Sequence, residues 1–263
     1  GNSGGNLTFF NLTINTSGYT IKFLDTVTRT DTVAGALTIT AGTLNTQWTG
    51  QAVDNIIVTG TSSITGTLTP NTSTCTFNGA VTVNSGGTLG GNTAWTCDMN
   101  ANLLTSAGTL LAPTLLGAFN FSGATWNTPT VFTHNSGNVI FDLAGTTSLG
   151  NTSTAFGGII VNNGTTLTCA AGNYALTCAG DVITTGTLNG TAAAVSFNDL
   201  TISVTTGVYT ATSATTTITG KDASSDAWVN NGIFTAGTGT VDFTGQSGTY
   251  HIHMDNIWYN LTI

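Results

Sequence analysis

The chain has 263 residues, of which only 5% are charged, and its 11 acids against three basic residues give a formal net charge of −8. So few cations leave no basic surface for a nucleic-acid backbone or for anionic lipid, and we expect neither as a partner. No apolar run approaches the roughly 20 residues of a membrane helix, so we also expect no membrane insertion.

The composition favours strands over helices. Thr, Val and Ile are restricted at the first side-chain torsion and fit a pleated strand. The helix formers are scarce, since Glu is absent and Lys occurs only at Lys22 and Lys221. We therefore expect an all-β protein without long helices.

Short strand-like runs follow one another along the chain, punctuated by Gly, Asn, Ser or Asp. In chain order they include LTIT at 37–40, IIVTG at 56–60, VTVNSGGTL at 81–89, VIFDL at 139–143 and IIVNNGTTLTC at 159–169. Short strands at regular spacing are typical of a β-sandwich, a barrel or a solenoid.

Approximate repeats favour the solenoid. The phrase FFNLTI at 9–14 recurs as FNDLTI at 197–202 and as WYNLTI at 258–263. Stacked coils need only approximate repetition, because each coil buries its inward side chains on its neighbours. At about 20 residues per coil the chain would hold on the order of a dozen coils. We predict one elongated β-solenoid over residues 1–263, irregular around 92–129 where the phrases are missing; tandem β-sandwich domains are the alternative.

The stretch WVNNGIFTAGTGTVDFTGQSGTYHIHMDNIWYNLTI at 228–263 resembles a repeat of large secreted surface proteins of bacteria and archaea. In that repeat a phrase like NNGTFTAGTGTVTFNG precedes a FYNLTI-like strand. The resemblance implies a right-handed parallel β-helix on a cell surface, in an adhesin-like or filament-forming protein. It implies no catalytic residues.

Four cysteines, Cys75, Cys97, Cys169 and Cys178, are an even number in a chain that has the composition of a secreted protein, which favours two disulfides. Proximity favours Cys75 with Cys97, which would lie on adjacent coils, and Cys169 with Cys178, although the sequence leaves the pairing open. Their spacing does not match a zinc site. Buried thiols that act as small apolar side chains are the other alternative.

Two short segments contain residues that could bind metal. His251, His253 and Asp255 alternate in HIHMD, so on a strand they would share one face and could bind a transition metal. Two imidazoles alone are an incomplete ligand set, and a polar strand face is the favoured interpretation. Asp222 and Asp226 form the only close acid pair, which we interpret as an exposed loop rather than a calcium site. We therefore expect no metal and no cofactor.

Asn-x-Ser/Thr sequences make Asn71, Asn151 and Asn163 candidates for glycosylation in a host with that machinery.

A polysaccharide-cleaving β-helix would need clustered carboxylates or cations for acid/base chemistry. The acids here are dispersed and Arg29 is the single arginine, so we do not expect an enzyme.

The repeated phrase near both ends of the chain predicts open coil ends, because neither end carries a charged or helical cap. We expect a structural protein that stacks head to tail on copies of itself, or is repeated in tandem, in an extracellular filament, sheath or surface layer. The expected contacts are Phe9, Phe10, Trp258 and Tyr259. The alternative is an adhesin stalk that binds glycans or surfaces, or a viral fibre; exposed Trp columns would favour the stalk, and buried Trp the filament.

Overall fold

A computed structural model describes residues 5–22, 27–47, 52–104, 107–150, 154–169, 174–253 and 257–263. Within these ranges the chain forms strands and no helix, and the strands pair in parallel in a β-solenoid of about 11 turns. The all-β and solenoid predictions are confirmed. The alternative of tandem β-sandwiches is wrong, because sandwiches of that kind are built from antiparallel sheets. None of the described segments is a helix with the length and apolar content needed to cross a membrane.

The described residues contain thirty strands. In chain order they are β1 (Thr8–Phe9), β2 (Leu12–Lys22), β3 (Arg29–Val33), β4 (Leu37–Asn45), β5 (Asp54–Val58), β6 (Ser62–Ile64), β7 (Thr67–Thr69), β8 (Thr74–Phe77), β9 (Val81–Val83), β10 (Thr88–Gly90), β11 (Thr96–Met99), β12 (Thr109–Leu111), β13 (Ala118–Phe121), β14 (Thr125–Asn127), β15 (Val131–Thr133), β16 (Asn138–Phe141), β17 (Gly145–Gly150), β18 (Thr154–Phe156), β19 (Gly158–Val161), β20 (Thr165–Cys169), β21 (Leu176–Thr184), β22 (Thr187–Asn189), β23 (Val195–Ile202), β24 (Val208–Thr210), β25 (Thr215–Ile218), β26 (Asp226–Asn230), β27 (Ile233–Thr235), β28 (Thr240–Asp242), β29 (His251–His253) and β30 (Asn260–Thr262).

The chain divides into two compact units. The first covers Gly1–Gly123 and Asn127–Gly137, and the second covers Ala124–Trp126 and Asn138–Ile263. In the first unit one sheet runs in the order β1-β3-β5-β8-β11-β13, and a second runs in the order β15-β12-β10-β7-β4-β6-β9, with β2 also on β4. The long strand β4 joins two rows, because its first residues pair with β6 and its last with β7.

The second unit has the same organisation. One sheet runs in the order β16-β19-β21-β23-β25-β28-β30, with β18 on β21, β26 on β23 and β29 on β26. The other runs in the order β14-β17-β20-β22-β24-β27. Each of the long strands pairs with two shorter strands, β21 with β18 and β19, and β23 with β25 and β26.

Columns of apolar side chains form the core of the first unit. Val33, Val58, Phe77, Met99 and Phe121 are register partners on successive coils, and all are fully buried. A second column consists of leucines at 44, 68, 89 and 110. Alternate residues of each strand point inward, so one coil covers the apolar row of the next.

Polar residues form matching columns on the outer faces. Thr67, Thr88 and Thr109 are register partners and half-buried. The side-chain amide of Asn100 donates a hydrogen bond of 3.0 Å to Oδ1 of Asn78 on the coil before it. Charged residues in such columns would repel one another, which accounts for a surface made of hydroxyls and amides.

Glycines form a column where the chain turns out of the first sheet. A Cβ placed on Gly60 would lie 2.5 Å from the carbonyl oxygen of Gly35, and one on Gly79 would lie 2.2 Å from that of Gly60. Successive coils therefore approach too closely at this corner for any side chain.

The three repeated phrases occupy different places in their coils. The first leaves β1 at Phe9 and enters β2 at Leu12, so it crosses between sheets. The second lies within β23, and the third supplies β30. Residues 92–129, which lack the phrase, contain β11 to β14, and Cys97 there pairs in direct register with Phe119.

Candidate functional site

The outermost strands of the first unit are β1 and β2. In the part of the chain that the structure describes, β1 pairs only with β3, and β2 pairs only with β4. Residues 5–14 carry no charge. Close to this edge Phe10 is 81% exposed and Tyr19 is 72% exposed. Strand β1 and the first residues of β2 therefore lack the charges that usually prevent strand addition, whereas the last residue of β2 is Lys22.

The second unit ends in a similar edge. Among the described strands, β30 pairs only with β28, and β29 pairs only with β26. Residues 257–263 are uncharged, and Ile257, Tyr259 and Ile263 are mostly exposed.

The four predicted assembly residues divide into two kinds. Phe10 and Tyr259 are exposed, whereas Phe9 and Trp258 are half-buried. The ring of Trp258 lies 4.9 Å from that of Trp228 and 5.0 Å from that of Phe234, measured between centroids. Trp258 therefore packs within its own unit, in an aromatic cluster with Trp228 and Phe234.

The tryptophans are mainly core residues. Trp95, Trp126 and Trp228 are fully buried, and Trp48 lies outside the described residues. The described tryptophans therefore form no exposed column of the kind on which sugar rings stack.

The cysteines are free thiols, and all four are buried. The two expected disulfides are thus not present in the structure, whereas the expected adjacency of Cys75 and Cys97 is confirmed, because they are direct register partners on β8 and β11. Burial raises the pKa of all four thiols, those of Cys169 and Cys178 to about 12. Protonated thiols in an apolar interior are unreactive and act as small apolar side chains.

A histidine–carboxylate cluster lies on β26 and β29. Oδ1 of Asp226 is 2.9 Å from Nδ1 of His251 and 2.9 Å from Nε2 of His253. The strands pair in parallel with Asp226 opposite His251, and a register shift after Asp226 brings it within reach of both histidines. The carboxylate that contacts both imidazoles, Asp226, belongs to the preceding coil. The predicted partner Asp255 lies outside the described residues.

The turn before β26 fixes this carboxylate. Oδ1 of Asp222 accepts hydrogen bonds from the backbone N–H groups of Ser224 and Asp226, at 2.7 and 2.9 Å. The backbone N–H of His251 in turn donates to the carbonyl of Ser225 at 2.8 Å. Hydrogen bonds from His253 and His251 lower the pKa of Asp226. The acid pair noted in the sequence is thus a turn whose second acid faces the histidines.

No family model, no curated protein and no solved structure matches the chain. The resemblance of residues 228–263 to surface-protein repeats therefore remains a prediction.

A second pair of acids lies in the column between β21 and β23. Asp181 and Asp199 are direct register partners, and Asp199 is only 3% exposed. Burial, followed by the charge of Asp181, raises the pKa of Asp199 to about 7. Its Oδ2 accepts a hydrogen bond of 2.8 Å from the amide of Asn198, which partly offsets these effects.

This acid makes stability depend on pH. Because the pKa of Asp199 is higher in the folded than in the unfolded chain, its contribution is fully present below about pH 4 and is lost as the pH rises through about 7. We expect Asp199→Asn to raise the free energy of unfolding at pH 8 by about 1 to 2 kcal/mol, allowing for solvent screening, and to leave it unchanged at pH 4. Urea denaturation across this range measures both values.

The matched control is Asp242→Asn, because the register partners of Asp242 are Thr217 and Thr262 rather than acids. An equal gain at pH 8 in both variants would contradict the role of the Asp181–Asp199 pair.

The glycosylation candidates differ in accessibility. Asn163 is exposed in the turn between β19 and β20. Asn71 is half-buried, and its amide donates a hydrogen bond of 2.6 Å to Oδ1 of Asn45. Asn151 lies outside the described residues. Asn163 is therefore the better acceptor of the two described sites.

Proposed function

We propose that the protein is a structural protein that assembles with further copies of itself by strand addition and forms an extracellular filament, sheath or surface layer. The observation that carries this proposal is a pair of open edges, β1 and β2 in one unit and β29 and β30 in the other. Residues 5–14 at the first edge and 257–263 at the second carry no charge, and Phe10 and Tyr259 are exposed there.

Parallel stacking supplies the contact. Each internal coil already accepts a parallel coil on either side, so the edge of a second copy could continue the same backbone ladder. The edges differ from each other, so the contact is heterologous, and contacts of this type propagate into filaments when they do not close into a ring. Backbone hydrogen bonds would supply affinity, and exposed aromatic side chains would add buried area.

The buried tryptophans support this function over an adhesin stalk. A glycan-binding surface would place aromatic rings in solvent, whereas Trp95, Trp126 and Trp228 are fully buried. The low charge of the chain also suits repeated stacking, because like charges on neighbouring copies would repel.

Electron microscopy and sedimentation of the purified chain test the proposal. We expect fibres above a critical concentration. The double variant Phe10→Lys/Tyr259→Lys should raise that concentration by about tenfold or more, because charged side chains on an edge oppose strand addition. Both side chains are exposed, so the fold should be retained.

The control for this experiment is Val204→Lys. Val204 is 64% exposed but lies between β23 and β24, away from the edges. A wild-type chain that stays monomeric at every concentration, or an edge variant that assembles like the control, would refute assembly through these edges.

A further inference from the structure

We propose that Asp226, His251 and His253 form a binding site for one divalent transition-metal ion, with Zn²⁺ as the representative ion. The site belongs to the second unit alone and does not depend on assembly.

The separation of the donor atoms fits a shared ion. Oδ1 of Asp226 is 2.9 Å from one nitrogen of each histidine, and the three donor atoms lie within 4.8 Å of one another. Two ligands at about 2.1 Å from a tetrahedral Zn²⁺ are about 3.4 Å apart, so each hydrogen-bonded pair must separate by about half an ångström. An ion can thus replace the two hydrogen bonds after a small rotation of the imidazoles.

The chemistry of the donors selects the class of ion. Imidazole nitrogens suit Zn²⁺, Ni²⁺, Co²⁺ and Cu²⁺, whereas Ca²⁺ and Mg²⁺ require several oxygen ligands. Either ring nitrogen can ligate, so the use of Nδ1 from His251 and Nε2 from His253 is no obstacle. The carboxylate is negatively charged, so it attracts a cation more strongly than a third neutral ligand would.

Exposure leaves room to complete the coordination shell. The side chains of His251 and His253 are 52% and 54% exposed, and that of Asp226 is 21% exposed. Water can therefore occupy the remaining positions, as in zinc sites with three protein ligands.

The backbone holds the ligands in place before an ion binds. Asp222 fixes the start of β26 through the N–H of Asp226, and the carbonyl of Ser225 fixes the start of β29 through the N–H of His251. The ligands therefore lose little conformational entropy when an ion binds, and under that condition three ligands give useful affinity.

Titration calorimetry with ZnCl₂ and visible absorption with CoCl₂ test the site on the full chain. We expect one ion per chain in the wild type and cobalt bands typical of nitrogen and oxygen ligation. Asp226→Asn and His253→Gln should each weaken binding by about tenfold or more, and His251→Gln/His253→Gln should abolish saturable binding. The control His134→Gln should bind as the wild type does, because His134 lies in a turn of the first unit.

The same titration on Phe10→Lys/Tyr259→Lys separates metal binding from assembly, and we expect unchanged affinity there. Circular dichroism checks that each variant is folded. The site is refuted if the wild type binds no more tightly than the double histidine variant. It is also refuted if Asp226→Asn binds as tightly as the wild type, because the carboxylate is then not a ligand.

Discussion

Replacing Phe141 by alanine is expected to lower the free energy of unfolding by about 3 to 5 kcal/mol. Phe141 is fully buried in the second unit, and its ring centroid lies 6.0 Å from that of Trp126 and 5.9 Å from that of Phe156. Truncation removes apolar contacts and leaves a cavity that two large, packed aromatic rings cannot fill. Urea denaturation followed by circular dichroism measures the loss.

Two variants accompany this measurement. Phe141→Leu keeps most of the volume and should cost less than about 1.5 kcal/mol. Leu116→Ala should change stability by less than about 0.5 kcal/mol, because Leu116 is 89% exposed. A loss in Phe141→Ala no larger than that in Leu116→Ala would show that the aromatic cluster is not a packed core.

The solenoid could be predicted because its contacts repeat at short distance along the chain. A strand's partners lie one coil away, so rows such as the leucines at 44, 68, 89 and 110 leave a visible pattern in the sequence. The same architecture explains the bias in composition, because Thr occupies outer columns and Gly occupies tight corners. Composition and repetition were therefore sufficient for the fold class and for an approximate number of coils.

The place of each phrase within its coil could not be predicted, because the coils differ in length. Val33, Val58 and Phe77 are successive register partners, although their spacing in the sequence is uneven. Phrases of similar sequence therefore lie at different positions within their coils. The repeat length is not constant, so the register of the strands could not be predicted from it.

The histidine–carboxylate cluster shows the same limitation. The alternation of His251 and His253 was visible, but Asp226 approaches them only through the pairing of β26 with β29 and the register shift after Asp226. Local spacing suggested Asp255, which lies outside the described residues. The cysteines illustrate the opposite case, since spacing correctly placed Cys75 beside Cys97, yet adjacency alone does not fix the torsions that a disulfide requires.

Replacing Gly79 by alanine is expected to lower the free energy of unfolding by about 3 kcal/mol. The added Cβ would lie 2.2 Å from the carbonyl oxygen and 2.4 Å from the carbonyl carbon of Gly60. Both are backbone atoms of the neighbouring coil, so no side-chain rotation relieves the contact and the two coils must separate at the corner. Urea denaturation again gives the magnitude.

The matched control is Gly91→Ala, where the nearest heavy atom to the new Cβ is 3.8 Å away. Alanine there should be neutral or stabilise by up to about 1 kcal/mol, because it restricts the unfolded chain. Since each coil is held only by its neighbours, Gly79→Ala should also speed hydrogen exchange at the amide of Asn78, whose N–H donates to the carbonyl of Val58 on the preceding coil at 2.8 Å. Unchanged stability and unchanged exchange in Gly79→Ala would mean that the coils do not approach as closely at this corner as the glycine column requires.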